Sequence, residues 1–140
     1  MPGCVLHVEG KDFDVATFLD DCTLAPYMVF HKGEPFRKGK NGIRDASGFS
    51  CLVSDSDGNL SEEFEDAIGF LTKHRESLLR LACLPTVQSK TLDFGYYSRL
   101  SDKYFMQSDT ISLDLLRLVS QLGIEIELSL YARFEAQVGA

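Results

Sequence analysis

The sequence contains no tryptophan, three histidines and four cysteines, and its 14 basic residues are outnumbered by 21 acidic ones. Each shortage narrows the range of functions. A formal charge of -7 disfavours nucleic acid and anionic membranes as partners, because phosphate recognition needs a basic surface. Cys4, Cys22, Cys51 and Cys83 form no C-x-x-C pair and have no histidine at ligand spacing, so no zinc site is expected. The start, MPGCVLHVEGKDF, has no basic leader or long apolar stretch, which predicts a cytoplasmic protein with reduced, partly buried thiols. No apolar run approaches the length of a membrane span. No serine or cysteine sits in a G-x-S-x-G elbow, no catalytic constellation is visible, and no cofactor is expected.

What is present points to an ordinary globular chain. At 140 residues, 44% hydrophobic and 25% charged, residues 1–140 make one domain that can bury a core without disulfide or metal. Cys4 to Glu9 alternates as a first strand. Asp14 caps a short helix that presents Val15, Phe18 and Leu19, and Tyr27 to His31 forms a second strand. Residues 32–46, with three glycines, a proline and a cluster of charges, are expected to be a mobile loop. Phe49 to Val53 is a third strand, and Asp55 to Asn59 is turn chemistry leading into a helix.

That helix, Ser61 to Leu84, carries a stripe of Phe64, Ala67, Ile68, Leu71, Leu78 and Ala82, with Glu62, Glu63 and Glu65 in its acidic first turn. Asn59 and Ser61 are equally good caps, and Thr72 to Arg75 interrupts the stripe, leaving open a kink or two helices. Thr86 to Tyr97 is a fourth strand in which Gly95 marks a bulge or bend. After a polar connection, Ile111 to Leu122 is helical, Gly123 is a left-handed cap, and Ile124, Ile126, Leu128 and Leu130 alternate as the core side of a last strand. Residues 133–140 are expected to fray. The order β-α-β-β-α-β-α-β predicts a two-layer α+β domain, a largely antiparallel five-stranded sheet with helices on one face.

Four short stretches in this order carry a family resemblance: Gly10 to Asp14 after the first strand, Lys32-Gly33-Glu34, Ser47 to Ser50, and Leu122 to Tyr131. Together they resemble the bacterial family catalogued as domain of unknown function 4279, over nearly the whole chain. The chain departs from the family pattern where a tryptophan is usual near Phe49 and an aspartate often stands at Ser129. The resemblance implies an α+β fold and carries over no catalytic residue.

Two regions remain as candidate surfaces. Lys32, Arg37, Lys38, Lys40 and Arg44 against Glu34 give residues 32–44 a charge of +4, in a chain whose remainder sums to -11. A cationic, glycine-rich loop can hold an anion or an acidic partner, although its Gly-Lys pairs lack the P-loop pattern, and a solvated loop is the simpler reading. Tyr96, Tyr97, Arg99, Tyr104, Phe105 and Met106 concentrate residue types enriched at interfaces, against the plain alternative of packing under a long connection.

Other motifs fail on their own terms. Asp55 to Asn59 would place Val53 and Phe64 at ligand positions of a calcium loop, and Asp93-Phe94-Gly95 belongs to a strand. Glu125 and Glu127 share a strand face that is expected to be solvated. His7 falls on the polar face of its strand, His31 lies beside the basic loop, and His74 is a boundary residue. The favoured expectation is a non-catalytic, protein-binding module contacting its partner through the basic loop and residues 96–106, with an immunity or antitoxin-type inhibitor as one form. The alternative is a small-anion sensor or enzyme with a pocket between that loop and the 93–99 strand.

Overall fold

The structure is a computed structural model that describes residues 2–36 and 41–133. In chain order the elements are β1 (Cys4–Gly10), α1 (Val15–Asp20), β2 (Met28–Phe30), β3 (Ser47–Ser54), α2 (Leu60–Lys73), α3 (Arg75–Ala82), β4 (Ser89–Tyr97), α4 (Leu113–Leu122) and β5 (Glu125–Tyr131). The strands form one open sheet in the order β2-β3-β1-β4-β5. Every neighbouring pair is antiparallel except β4 and β5, which run parallel with α4 as the crossover. The fold is therefore α+β, with a mixed but mostly antiparallel sheet.

Local chemistry explains most boundaries. Asp14 accepts from the backbone N–H of Thr17 and caps α1. Asp57 (φ 56°) and Gly58 (φ 87°) make the left-handed turn before α2, and Asn59 is the residue that caps it, accepting from Glu62 N at 3.2 Å. The interrupted stripe resolves as two helices. His74 ends α2 and begins α3 with φ -103° and ψ 19°, and it is buried where the helices meet. Ser112 caps α4 through Leu115 N, and Gly123 closes it at φ 66°.

The core lies between the helices and one face of the sheet. Cys4, Leu6 and Val8 of β1, Phe49 and Cys51 of β3, and Leu92 and Phe94 of β4 meet Phe64, Ala67 and Leu71 of α2, Leu78 and Leu81 of α3, and Leu115 and Leu122 of α4. Aromatic contacts knit it further: Phe64 meets Phe94 edge-on at 5.0 Å, and Phe18 stacks on Phe49 at 5.9 Å. His7, Glu9, Glu125 and Glu127 occupy the other face and are exposed.

Three sequence expectations need correction. Leu128 and Leu130 are 49% and 55% exposed rather than buried, because β5 is the last strand and has a described neighbour on one side only. Glu63, placed with the solvated acids of the first turn, is fully buried on the inward face of α2. Gly95 marks no bulge, since β4 stays in continuous register with β5 through Tyr97. A Cβ there would press on the Tyr131 ring at 3.1 Å and on the Gly3 backbone at 3.2 Å, where the Gly3 carbonyl accepts Gly95 N at 2.8 Å.

Candidate functional site

The cationic stretch after β2 is tied together at its base. Gly33 N donates to Arg44 O and Arg44 N donates to Glu34 O, both at 2.8 Å, and Pro35 bridges Ile43. Gly33 (φ 92°) and Gly42 (φ 102°) supply left-handed positions. Arg44 does not reach outward. Its guanidinium lies 4.3 Å from the Phe30 ring centroid and 5.2 Å from that of Phe36, a cation–π sandwich on the rim of the sheet. Lys32 is exposed and lies 3.9 Å from a still more exposed Asp12, a weak contact. Arg37, Lys38 and Lys40 lie outside the described residues.

The second candidate region divides in three. Tyr96 packs half-buried against the core, and Tyr97 meets Tyr131 edge-on at 6.3 Å with Arg133 at 4.9 Å from its ring. Both belong to the fold. Arg99 organises the connection: its guanidinium contacts both Asp109 oxygens, at 2.8 and 2.9 Å, while its backbone N donates to Gln107 Oε1 at 2.8 Å. Ser101 makes a second knot, its N–H donating to Tyr104 O and its hydroxyl accepting from Lys103 N and Tyr104 N. Between these knots Tyr104, Phe105 and Met106 stand 64%, 89% and 78% exposed, with Leu100 at 48% nearby. They do not pack under the connection. A cavity of about 810 Å³, lined by Ser98 to Lys103 and Arg133, opens beside them.

The two candidate regions are not one surface. β1 is antiparallel to both β3 and β4, so those two strands point the same way. The cationic stretch precedes the first residue of β3, whereas Tyr97 is the last of β4. They therefore lie at opposite ends of the sheet as well as toward opposite edges.

Several features escaped sequence reasoning. His7 Nδ1 and Ser50 Oγ are 2.8 Å apart in a cavity of about 280 Å³ that Glu9 and Arg44 also line. Their sequence separation hides the pair, and only the β1–β3 register reveals it. Ser50 is closed off from solvent, so the bond satisfies a buried hydroxyl and presents no nucleophile. An apolar groove of about 640 Å³ runs between α1 and α3 over Phe13, Phe18, Leu79 and Leu84, with the Arg80–Asp21 ion pair on its rim. His74 shares its Nδ1 with the Thr23 hydroxyl at 2.7 Å, and burial followed by the nearby Lys73 charge lowers its pKa. Cys51 is pushed up to about 12 by burial, and Cys4 is raised further for the same reason, so neither is an activated thiol.

Glu63 is a fully buried acid. Neither carboxylate oxygen has a hydrogen-bond partner, and burial, reinforced by Asp93 and Asp66, raises its pKa to about 7. Ser56 pulls the other way, but its hydroxyl is committed to the carbonyl of Asn59 at 3.1 Å. No group of three or more histidine, cysteine or acidic side chains able to hold a metal occurs among the described residues. No described helix is long and apolar enough to cross a membrane.

The architecture defines a small α+β domain built on an open, mostly antiparallel sheet, with its most distinctive surface on the connection after β4. The family model described as "Domain of unknown function (DUF4279)" matches residues 2–133, and the chain belongs to that family. No curated protein and no solved structure matches it.

Proposed function

We propose that this protein is a non-catalytic, cytoplasmic binding module that grips another protein through the connection between β4 and α4. The observation that carries the proposal is the pairing of a tied loop with an apolar tip. Arg99–Asp109 and the Ser101 knot fix the backbone, while Tyr104, Phe105 and Met106 remain exposed. Fixing the loop in advance lowers the ordering cost of binding, and exposed aromatic and methionine side chains are the kinds that anchor in a partner's pocket. The exposed Lys32 of the cationic stretch would make a separate contact at the far end of the sheet. The acidic balance of the chain favours a basic partner, as an immunity or antitoxin-type inhibitor would require. Four free thiols support the reducing compartment.

Affinity capture with the wild type and with Phe105→Ser tests the proposal. A stoichiometric protein held by the wild type and lost by the variant is expected, with both proteins melting at the same temperature because Phe105 contributes little to the core. Equal capture by the two, or no stoichiometric partner for either, would overturn it.

A further inference from the structure

The face of the sheet away from the helices carries a hollow that its register creates. Ser50 of β3 lies opposite His7 of β1, and two residues on Gly48 lies opposite Glu9, with Phe30 of β2 on its other side. Gly48 leaves the middle of that row without a side chain. The Phe30 ring leans into the space, since a Cβ on Gly48 would stand 2.7 Å from its tip. Arg44, from the stretch before β3, lies on Phe30 and Phe36 by cation–π contact. His7, Glu9 and Arg44 therefore share one cavity, with the buried Ser50 hydroxyl at its floor.

The charged groups around this cavity are unpaired. Among the described residues Arg44 makes no ion pair and no side-chain hydrogen bond, and neither does the Glu9 carboxylate. His7 engages Ser50 through Nδ1, which leaves Nε2 without a partner. By contrast Arg75, Arg80 and Arg99, beside other cavities, are already held by Gln121, Asp21 and Asp109. Arg44 and Glu9 line the same space without reaching each other. A cation and an anion thus stand across a gap that a ligand carrying both charges would bridge.

We propose that this cavity binds a free α-amino acid or another short aminocarboxylate. The Arg44 guanidinium takes the carboxylate, its paired N–H donors matching the two oxygens. Glu9 takes the ammonium, and His7 Nε2 supplies a further polar contact. A simple anion would bring its charge against Glu9, whereas a zwitterion satisfies both groups. Sites for drug-sized ligands measure roughly 300–1,000 Å³. At about 280 Å³ this one admits a small molecule only. It lies at the opposite end of the sheet from Phe105, so it stands independently of the protein-binding surface there.

Nuclear magnetic resonance titration of the full chain with individual free α-amino acids, with acetate and with inorganic phosphate tests this. At least one amino acid should shift the His7 ring and Arg44 guanidinium signals saturably at millimolar concentration. It should bind at least about tenfold more tightly than acetate or phosphate, since each of those lacks the ammonium contact. Glu9→Gln and Arg44→Gln should each weaken binding at least about tenfold, the loss expected for one charged contact. Glu9 is exposed, so Glu9→Gln should melt with the wild type, which separates a lost contact from a lost fold. Phe105→Ser should bind the amino acid as the wild type does. No saturable shift with any amino acid, acetate or phosphate binding as tightly, or binding indifferent to Glu9→Gln would overturn the proposal.

Discussion

β4 and β5 lie side by side, parallel and in register, and their sequences alternate in the same way. Leu92 and Phe94 of β4 are fully buried, yet their register partners Ile126 and Leu128 are half-buried and 49% exposed. The difference lies in the neighbours. β4 has β1 on one side and α2 above it, with Phe64 edge-on against Phe94. β5 has β4 on one side and nothing described on the other. Alternation therefore tells which face a side chain takes, while position in the sheet decides whether that face is covered.

The largest expected effect is on the covered strand. Phe94→Ala should cost about 3–5 kcal/mol in urea unfolding, because it removes a fully enclosed ring and the surroundings cannot close the space. A loss below that of a surface substitution would mean the core has been misplaced.

A second effect comes from under the same sheet. Glu63 holds its proton more tightly in the folded chain than in the unfolded one, its pKa standing near 7 against an ordinary 4.5. Its contribution to stability is therefore intact below about pH 4.5, declines as pH rises toward 7, and stays lost above it. Glu63→Gln removes that decline. Relative to the wild type it should gain about 3 kcal/mol between pH 4.5 and pH 8, at about 1.4 kcal/mol per pKa unit. Parallel pH profiles for the two proteins would show that the buried carboxyl is not so perturbed.

Smaller effects belong to the edge. Leu128→Ala, measured at low protein concentration, should cost about 1 kcal/mol or less, since half of its surface is already in water. Glu127→Ala on the solvated face should stay within about half a kcal/mol. If Leu128→Ala matched Phe94→Ala, the contrast between the strands would fail.

These contrasts also mark how far the sequence could be read. Period and capping chemistry expose the elements themselves: the Asp14 and Asn59 caps, the left-handed Gly123 and the alternation of β1 are local signals, and the structure carries all of them. Sheet order is not local. No pattern within β5 announces that it is an edge, so Leu128 and Leu130 read as core. Glu63 was hidden for a related reason, because an acid in a helix's first turn is expected to complement the dipole from solvent. The candidate regions show the same divide. The composition of residues 96–106 is visible, but the separation of half-buried Tyr96 from exposed Phe105 depends on the knots made by Arg99 and Ser101. Their distance from Arg44 follows only from strand direction.

Hydrogen exchange at single-amide resolution, run at low protein concentration, tests most directly whether β5 is an uncovered edge of the sheet. Alternate amides of residues 125–131 should exchange at least about tenfold faster than those of β4. Uniformly slow exchange across β5 at the lowest concentration would show the edge to be covered within a single chain, contradicting the account.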